Sequence, residues 1–222
     1  TNTGPDVQDL YLERIHPAEP GKYQTPQGWE RFETFDEVIR VKGRPDVHMT
    51  ARATRHGPVI SDGGAVAAGL TGPASAPAYA IAMRWTALDP DPGSLEASWE
   101  MTTARSVDEF VRASARNVAP MQNMVVADRA GHIGVVSAGR VPLRKPDNEL
   151  KGQVPSPGWE ARYDWAGMLD AGATPREIDP ARGWIATANQ RIHPSDYPHY
   201  IGSEWAPPWR YQRIAQMLTD RK

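Results

Sequence analysis

The sequence predicts an α+β domain, and three observations carry that prediction. Several segments alternate apolar and polar residues with the two-residue period of strands. One segment opens with a helix-capping signal ahead of a helical apolar stripe. The 19 glycines and 21 prolines in 222 residues exceed the usual ~12% share by about half, as in a loop-rich globular chain. With no internal repeat and no clean boundary, a single domain spanning 1–222 is expected.

Taken in order, Thr1 to Asp6 reads as a loop leading into an alternating segment from Leu10 to Ile15. Arg31 to Lys42 alternates around Phe32, Phe35, Val38, Ile39 and Val41, and Met49 to Ile60 does the same up to Gly57-Pro58; both predict strands. Tyr79 to Trp85 predicts another, behind an exposed loop of Gly, Ala, Ser and Pro. Glu96 to Thr103 fits either a strand or a helix. Ser106 with Glu109 three residues on has capping-box spacing, and Val107, Phe110, Val111, Ala115 and Val118 follow as an apolar face. Asn123 to Asp128 and His132 to Ser137 form a hairpin around Arg129-Ala130-Gly131. Leu143 to Trp165, proline-rich and charged, predicts a long surface excursion. Trp184 to Ala188 predicts a short buried strand, and Trp209 to Thr219 a terminal helix behind Pro207-Pro208.

A net charge of −2, from 25 Lys and Arg against 27 Asp and Glu, gives no positive field for nucleic acid or an anionic bilayer. The longest near-apolar stretch, Val66 to Ala82, is broken by Gly, Pro, Thr and Ser and falls short of the ~20 apolar residues of a membrane span. Neither nucleic acid nor membrane is therefore an expected partner. The absence of cysteine removes disulfides, thiolate zinc sites and a cysteine nucleophile. The eight tryptophans lie beside Pro or Gly or in core-like runs without basic interleaving, which favours packing over a stacking groove. The six histidines show no metal-ligand spacing.

Read residue by residue, the chain offers a threonine at position 1, whose α-amine could act as base for its own hydroxyl. Asn2 reads as a turn residue, Asn189 as a strand-end amide, Arg210 as an arginine at a helix start, and Asp6 with Asp9 as acids capping a turn.

The segments Thr1-Asn2-Thr3-Gly4-Pro5-Asp6-Val7-Gln8-Asp9-Leu10-Tyr11, Glu37-Val38-Ile39-Arg40-Val41-Lys42, Arg55-His56-Gly57-Pro58-Val59-Ile60, the Asn123 to Gly134 hairpin, Pro157-Gly158-Trp159, Tyr163-Asp164-Trp165, Ile185-Ala186-Thr187-Ala188-Asn189 and Trp205-Ala206-Pro207-Pro208-Trp209-Arg210 occur in that order. Together they closely resemble the β-subunit of the penicillin acylase family of N-terminal-nucleophile amidohydrolases, which includes acylases of acyl-homoserine lactones. The resemblance covers essentially the whole chain.

It implies a four-layered α-β-β-α sandwich and hydrolysis of acyl amides through an acyl-enzyme on a serine exposed by autoproteolysis. That serine lies upstream of the segment resembling Thr1 to Tyr11. Thr1 is therefore not the nucleophile, and the chain is expected to be an interior stretch of the β-subunit, inactive alone, whose partners are an α-subunit and the rest of β. The resemblance assigns Asn2 (backbone amide) and Asn189 (side-chain amide) to the oxyanion hole and Arg210 to support of the active site. Arg213 is left as a surface residue and His56 as a structural turn residue. It also implies a structural Ca2+ held by Asp6, Asp9 and the backbone carbonyl of Gln8, and a periplasmic or secreted location. A non-catalytic binding or scaffolding module of the same fold is the competing expectation.

Overall fold

The computed structural model describes residues 5–62, 78–91 and 93–220. Its strands and helices run in the order β1 (Gln8–Arg14), β2 (Lys22–Thr25), β3 (Gly28–Arg31), β4 (Glu33–Ile39), β5 (Val47–Thr54), β6 (Gly57–Pro58), β7 (Tyr79–Trp85), α1 (Gly93–Thr103), α2 (Val107–Ser114), β8 (Gln122–Ala127), β9 (Ile133–Ala138), β10 (Pro142–Arg144), β11 (Ser156–Pro157), β12 (Trp165–Met168), β13 (Arg176–Ile178) and α3 (Trp209–Thr219). Helices and strands mix as the α+β expectation requires. The small-residue loop expected before Tyr79, together with Thr1 and Asn2, lies outside the described residues.

The chain divides into two compact units. One comprises Gln8–Leu88 and Arg144–Trp165. Its central sheet has the order β11-β1-β7, with β1 antiparallel to β7 (Tyr11 opposite Ala82) and parallel to β11 (Tyr11 opposite Ser156). β1 alternates as expected, but the buried set is Asp9, Tyr11 and Glu13 while Leu10 and Leu12 remain half-buried. A period of two fixes which residues share a face, and here the polar face turns inward. The long antiparallel pair β4–β5 leaves Phe35, Val38, Ile39, Val47 and Met49 exposed. The segment 143–165, expected as a surface excursion, instead contributes β11 and buries Asn148, Ser156 and Tyr163. Its proline content reflects short irregular turns that pack against β1; Tyr163, for example, accepts through its carbonyl from the Tyr11 hydroxyl at 2.9 Å.

The other unit comprises the stretch up to Val7, Asp89–Leu143 and the chain from Ala166 on. The ambiguous Glu96 segment belongs to helix α1. In α2 the Ser106 hydroxyl accepts from the Glu109 N–H at 3.2 Å, and the Glu109 carboxylate accepts in return from the Arg105 N–H, one residue ahead of the usual position. The helix ends at Ser114, so Val118 is buried from beyond it. α2 packs on the antiparallel sheet β13-β9-β8. Gly134 permits that approach, because a Cβ there would come within 2.9 Å of Val107 and 2.8 Å of Ile178. The expected hairpin is present, with Asp128 Oδ1 accepting from the Ala130 and His132 N–H groups across its turn. Met121, Val141, Leu169 and Ile201 form the apolar core of this unit.

Trp184 to Ala188 is not a strand. It is half-buried coil in which only Ala188 is fully buried, and the Arg182 guanidinium lies 4.9 Å over the Trp184 ring. Trp209 opens α3 largely exposed, contrary to its expected packing role. Among the described residues no helix is long and apolar enough to cross a membrane.

Candidate active site and a closed carboxylate

Asn189 stands in a tight turn with φ of 65°, the left-handed region that asparagine tolerates better than most residues. Three contacts hold it. Its carbonyl accepts from the Ala206 N–H at 2.9 Å, the preceding Ala188 N–H donates to Gln190 Oε1 at 2.7 Å, and its side-chain Oδ1 accepts from Arg210 Nη2 at 2.9 Å. The same Arg210 nitrogen donates to the Ala188 carbonyl at 2.9 Å. Pro207-Pro208 breaks the chain before α3, so Arg210 lies in the first turn of that helix. With its oxygen engaged by the guanidinium, the Asn189 carboxamide keeps its NH2 as a donor. Such a fixed donor is what stabilisation of an oxyanion needs. Arg213, by contrast, is exposed and donates to Gln216 of its own helix.

Beside this turn is a hollow of about 380 Å³ whose lining includes Asn123, Ser137, Thr187, Gln190, Arg191 and Tyr211. Asn123, only 6% exposed, accepts from the Ser137 hydroxyl at 2.6 Å, while its Nδ2 and the Thr187 hydroxyl have no partner among the described residues. The sequence drew no attention to this hollow, because its polar groups come from β8, β9, β13, α3 and the coil around Asn189.

In the other unit, His56 is more than a turn residue. Its ring is buried between two carboxylates, with Nδ1 at 2.7 Å from Glu13 Oε1 and Nε2 at 3.0 Å from Asp164 Oδ1, and it stacks on Tyr11 at 3.6 Å. Arg55 donates to both Asp164 oxygens, at 3.0 and 2.8 Å, and to the Gly158 carbonyl. Burial alone would raise the Asp164 pKa, but the hydrogen bonds from His56 and Arg55 and the Arg55 charge outweigh it and hold the carboxyl at about 2.

The residues given to calcium behave differently from one another. Asp6 donates its N–H to the Ile201 carbonyl at 2.7 Å, and Gln8 opens β1 opposite Trp85. Asp9, expected in a loop, is a buried strand residue whose two oxygens both accept protein donors: Arg144 Nη2 on Oδ1, and Arg144 Nε at 3.1 Å with the Trp165 indole N–H at 2.8 Å on Oδ2. A calcium ligand has to direct oxygen lone pairs at the ion. Asp9, as placed here, does not fit that role.

Comparison with known proteins puts a family to this arrangement. The structure superposes on a thermostable penicillin G acylase from Alcaligenes faecalis with a TM-score of 0.80 and 26% identity, over 98% of this chain and 37% of that one. The fold is accordingly that of an N-terminal-nucleophile hydrolase. The penicillin amidase family model matches residues 1–222, and the chain belongs to that family. It is 35% identical to the acyl-homoserine lactone acylase QuiP of Pseudomonas fluorescens (strain Pf0-1) over 98% of its length, and 33% identical to the penicillin acylase 2 proenzyme of Pseudomonas sp. (strain SE83) over 96%. The chain spans about a quarter of the length of these relatives, 25% and 26% respectively.

Proposed function

We propose that the protein carrying this chain hydrolyses acyl amides through an acyl-enzyme, a reading supported by relatives named acyl-homoserine lactone acylase and penicillin acylase. The observation that carries this reading is the clamp of Arg210 on Asn189, which fixes an amide donor in a strained turn. The nucleophile is a serine at a processed terminus upstream of Thr1. Its hydroxyl attacks the scissile carbonyl while its own α-amine takes the proton. The oxyanion that forms is received by the Asn189 NH2 and the Asn2 backbone N–H, and collapses as the C–N bond breaks and the α-ammonium returns its proton to the leaving amine. Water then releases the acyl group by the same route. Arg210 bears on the reaction by holding the Asn189 carboxamide.

In this reading the chain's partners are an α-subunit and the remaining β-subunit segments, produced by autoproteolysis, and the substrate is an acyl-homoserine lactone or a penicillin- or cephalosporin-type amide. The family resemblance also supports a periplasmic or secreted location, which cell fractionation tests. The deciding experiment is Asn189→Ala in the full-length processed protein. A kcat lowered by about 10²- to 10³-fold, with a smaller change in KM, is expected for loss of an oxyanion donor. Near-parental kcat would remove Asn189 from the reaction, whereas a processed parent protein without turnover of any acyl amide would favour a non-catalytic module.

A further inference from the structure

The disagreement at Asp9 leads to an inference independent of the activity proposed above. We propose that Arg144 supplies, within the protein, the positive charge that the family resemblance assigns to calcium at Asp9, so that the Asp9 site is closed to metal.

Four features of the same unit converge on this. First, the carboxylate is buried, with Asp9 2% exposed and the Arg144 side chain 3%, and a buried charge persists only with a partner that matches it. The guanidinium does so through Nε and Nη2, the paired geometry in which arginine meets a carboxylate edge-on. Second, the Trp165 indole N–H adds a donor to Oδ2. Third, Arg84 pairs in register with Asp9 across β1 and β7, and its guanidinium lies 4.7 Å over the Trp165 ring. Arg144 thus pairs with the carboxylate directly, and Arg84 occupies the register position opposite Asp9 on β7. A divalent cation at about 2.3–2.6 Å from the Asp9 oxygens would be forced against the Arg144 cation.

Fourth, the backbone closes what the side chains leave. Gly152, with φ of 77°, passes so near that a Cβ would overlap Asp9 Oδ1 and approach Arg144 Nη2 to 2.8 Å. The turn from Asn148 to Gln153 that carries it is braced by the Asn148 side chain, which accepts from the Lys151 N–H at 2.7 Å. The space beside Oδ1 where further oxygen ligands would enter is therefore filled by main chain. Among the described residues no three His, Asp or Glu side chains gather as a metal shell.

The test uses the full-length protein with CaCl2 and a chelator as the only probes, read by thermal melting and by bound calcium after dialysis. The parent and Asp9→Asn are expected to carry the same calcium content and to answer the chelator alike. A chelator response shared by both locates calcium elsewhere and leaves Asp9 metal-free. Calcium that is bound by the parent and lost in Asp9→Asn would overturn the proposal. Arg144→Met is expected to melt several degrees below the parent because it strands a buried carboxylate, and Asp9→Asn combined with Arg144→Met should regain much of that loss. If Arg144→Met does not fold, the comparison of parent with Asp9→Asn decides alone.

Discussion

Arg210 donates a single guanidinium nitrogen both to the Asn189 side-chain oxygen and to the Ala188 carbonyl, each at 2.9 Å. One cation therefore fixes the carboxamide and the backbone of the turn that presents it. Lysine keeps the charge but not the planar fork. If the full-length protein has the proposed activity, Arg210→Lys in it should lower kcat by about 10- to 100-fold, or ~1.4–2.7 kcal/mol of barrier, with KM near the parent value. Steady-state kinetics decides, and an unchanged kcat would mean the clamp has no part in catalysis.

Gln190 is a positioning residue for the same turn. Its Oε1 accepts from the N–H of buried Ala188 at 2.7 Å, and Gln190→Ala leaves that N–H unmet. An unsatisfied buried donor costs about 1–3 kcal/mol. A lower melting temperature and a lower kcat are expected in Gln190→Ala, and Gln190→Glu, which keeps an acceptor, should restore both. A purely packing role would leave Glu no better than Ala.

Gly152→Ala tests the closure over Asp9. The substitution places a methyl group against Asp9 and Arg144 and requires an L-residue at φ of 77°. Destabilisation by more than the ~0.4–1 kcal/mol that a compatible Gly→Ala change gains is expected in urea or thermal unfolding. A variant as stable as the parent would show that the 148–153 turn swings clear of the carboxylate.

How much of this could be read from the sequence depended on where each residue's partners lie along the chain. Tyr79–Trp85 and Trp209–Thr219 were legible to the residue, because a short apolar run behind a small-residue loop and a Pro-Pro break are local signals. β1 was legible as an alternating segment from Leu10 to Ile15, but which of its two faces is buried was not. The choice of Asp9, Tyr11 and Glu13 is made by partners far along the chain: Arg144 lies 135 positions from Asp9, and His56 lies 43 from Glu13. No periodicity carries that information. Asn189 and Arg210 entered through ordered resemblance, and only the fold brought them within hydrogen-bonding distance. Trp184 to Ala188 misled because an apolar run shows the need for cover, and that cover came partly from a neighbouring guanidinium rather than from a strand ladder.

The His56 cluster makes a prediction about acid stability. Asp164 is held at about 2, with the cost of burial outweighed by His56 and Arg55, whereas an unfolded aspartate titrates near ~3.9. A folded pKa below the unfolded one means that, as the pH falls, the unfolded chain takes up its proton first. The contribution of Asp164 is therefore complete above about pH 5 and disappears between roughly pH 4 and 2. Asp164→Asn removes the charge but keeps an oxygen for Arg55, so it should be less stable than the parent at pH 7. The gap between the two should narrow as the pH is lowered from 5 to 3, because the unfolded parent is then taking up its proton while the folded carboxyl stays largely ionised. Urea midpoints for both proteins across pH 3 to 7 provide the measurement. A gap that stays constant over that range would mean Asp164 acts through shape and neutral hydrogen bonds, and that its ion pair with Arg55 adds nothing to the fold.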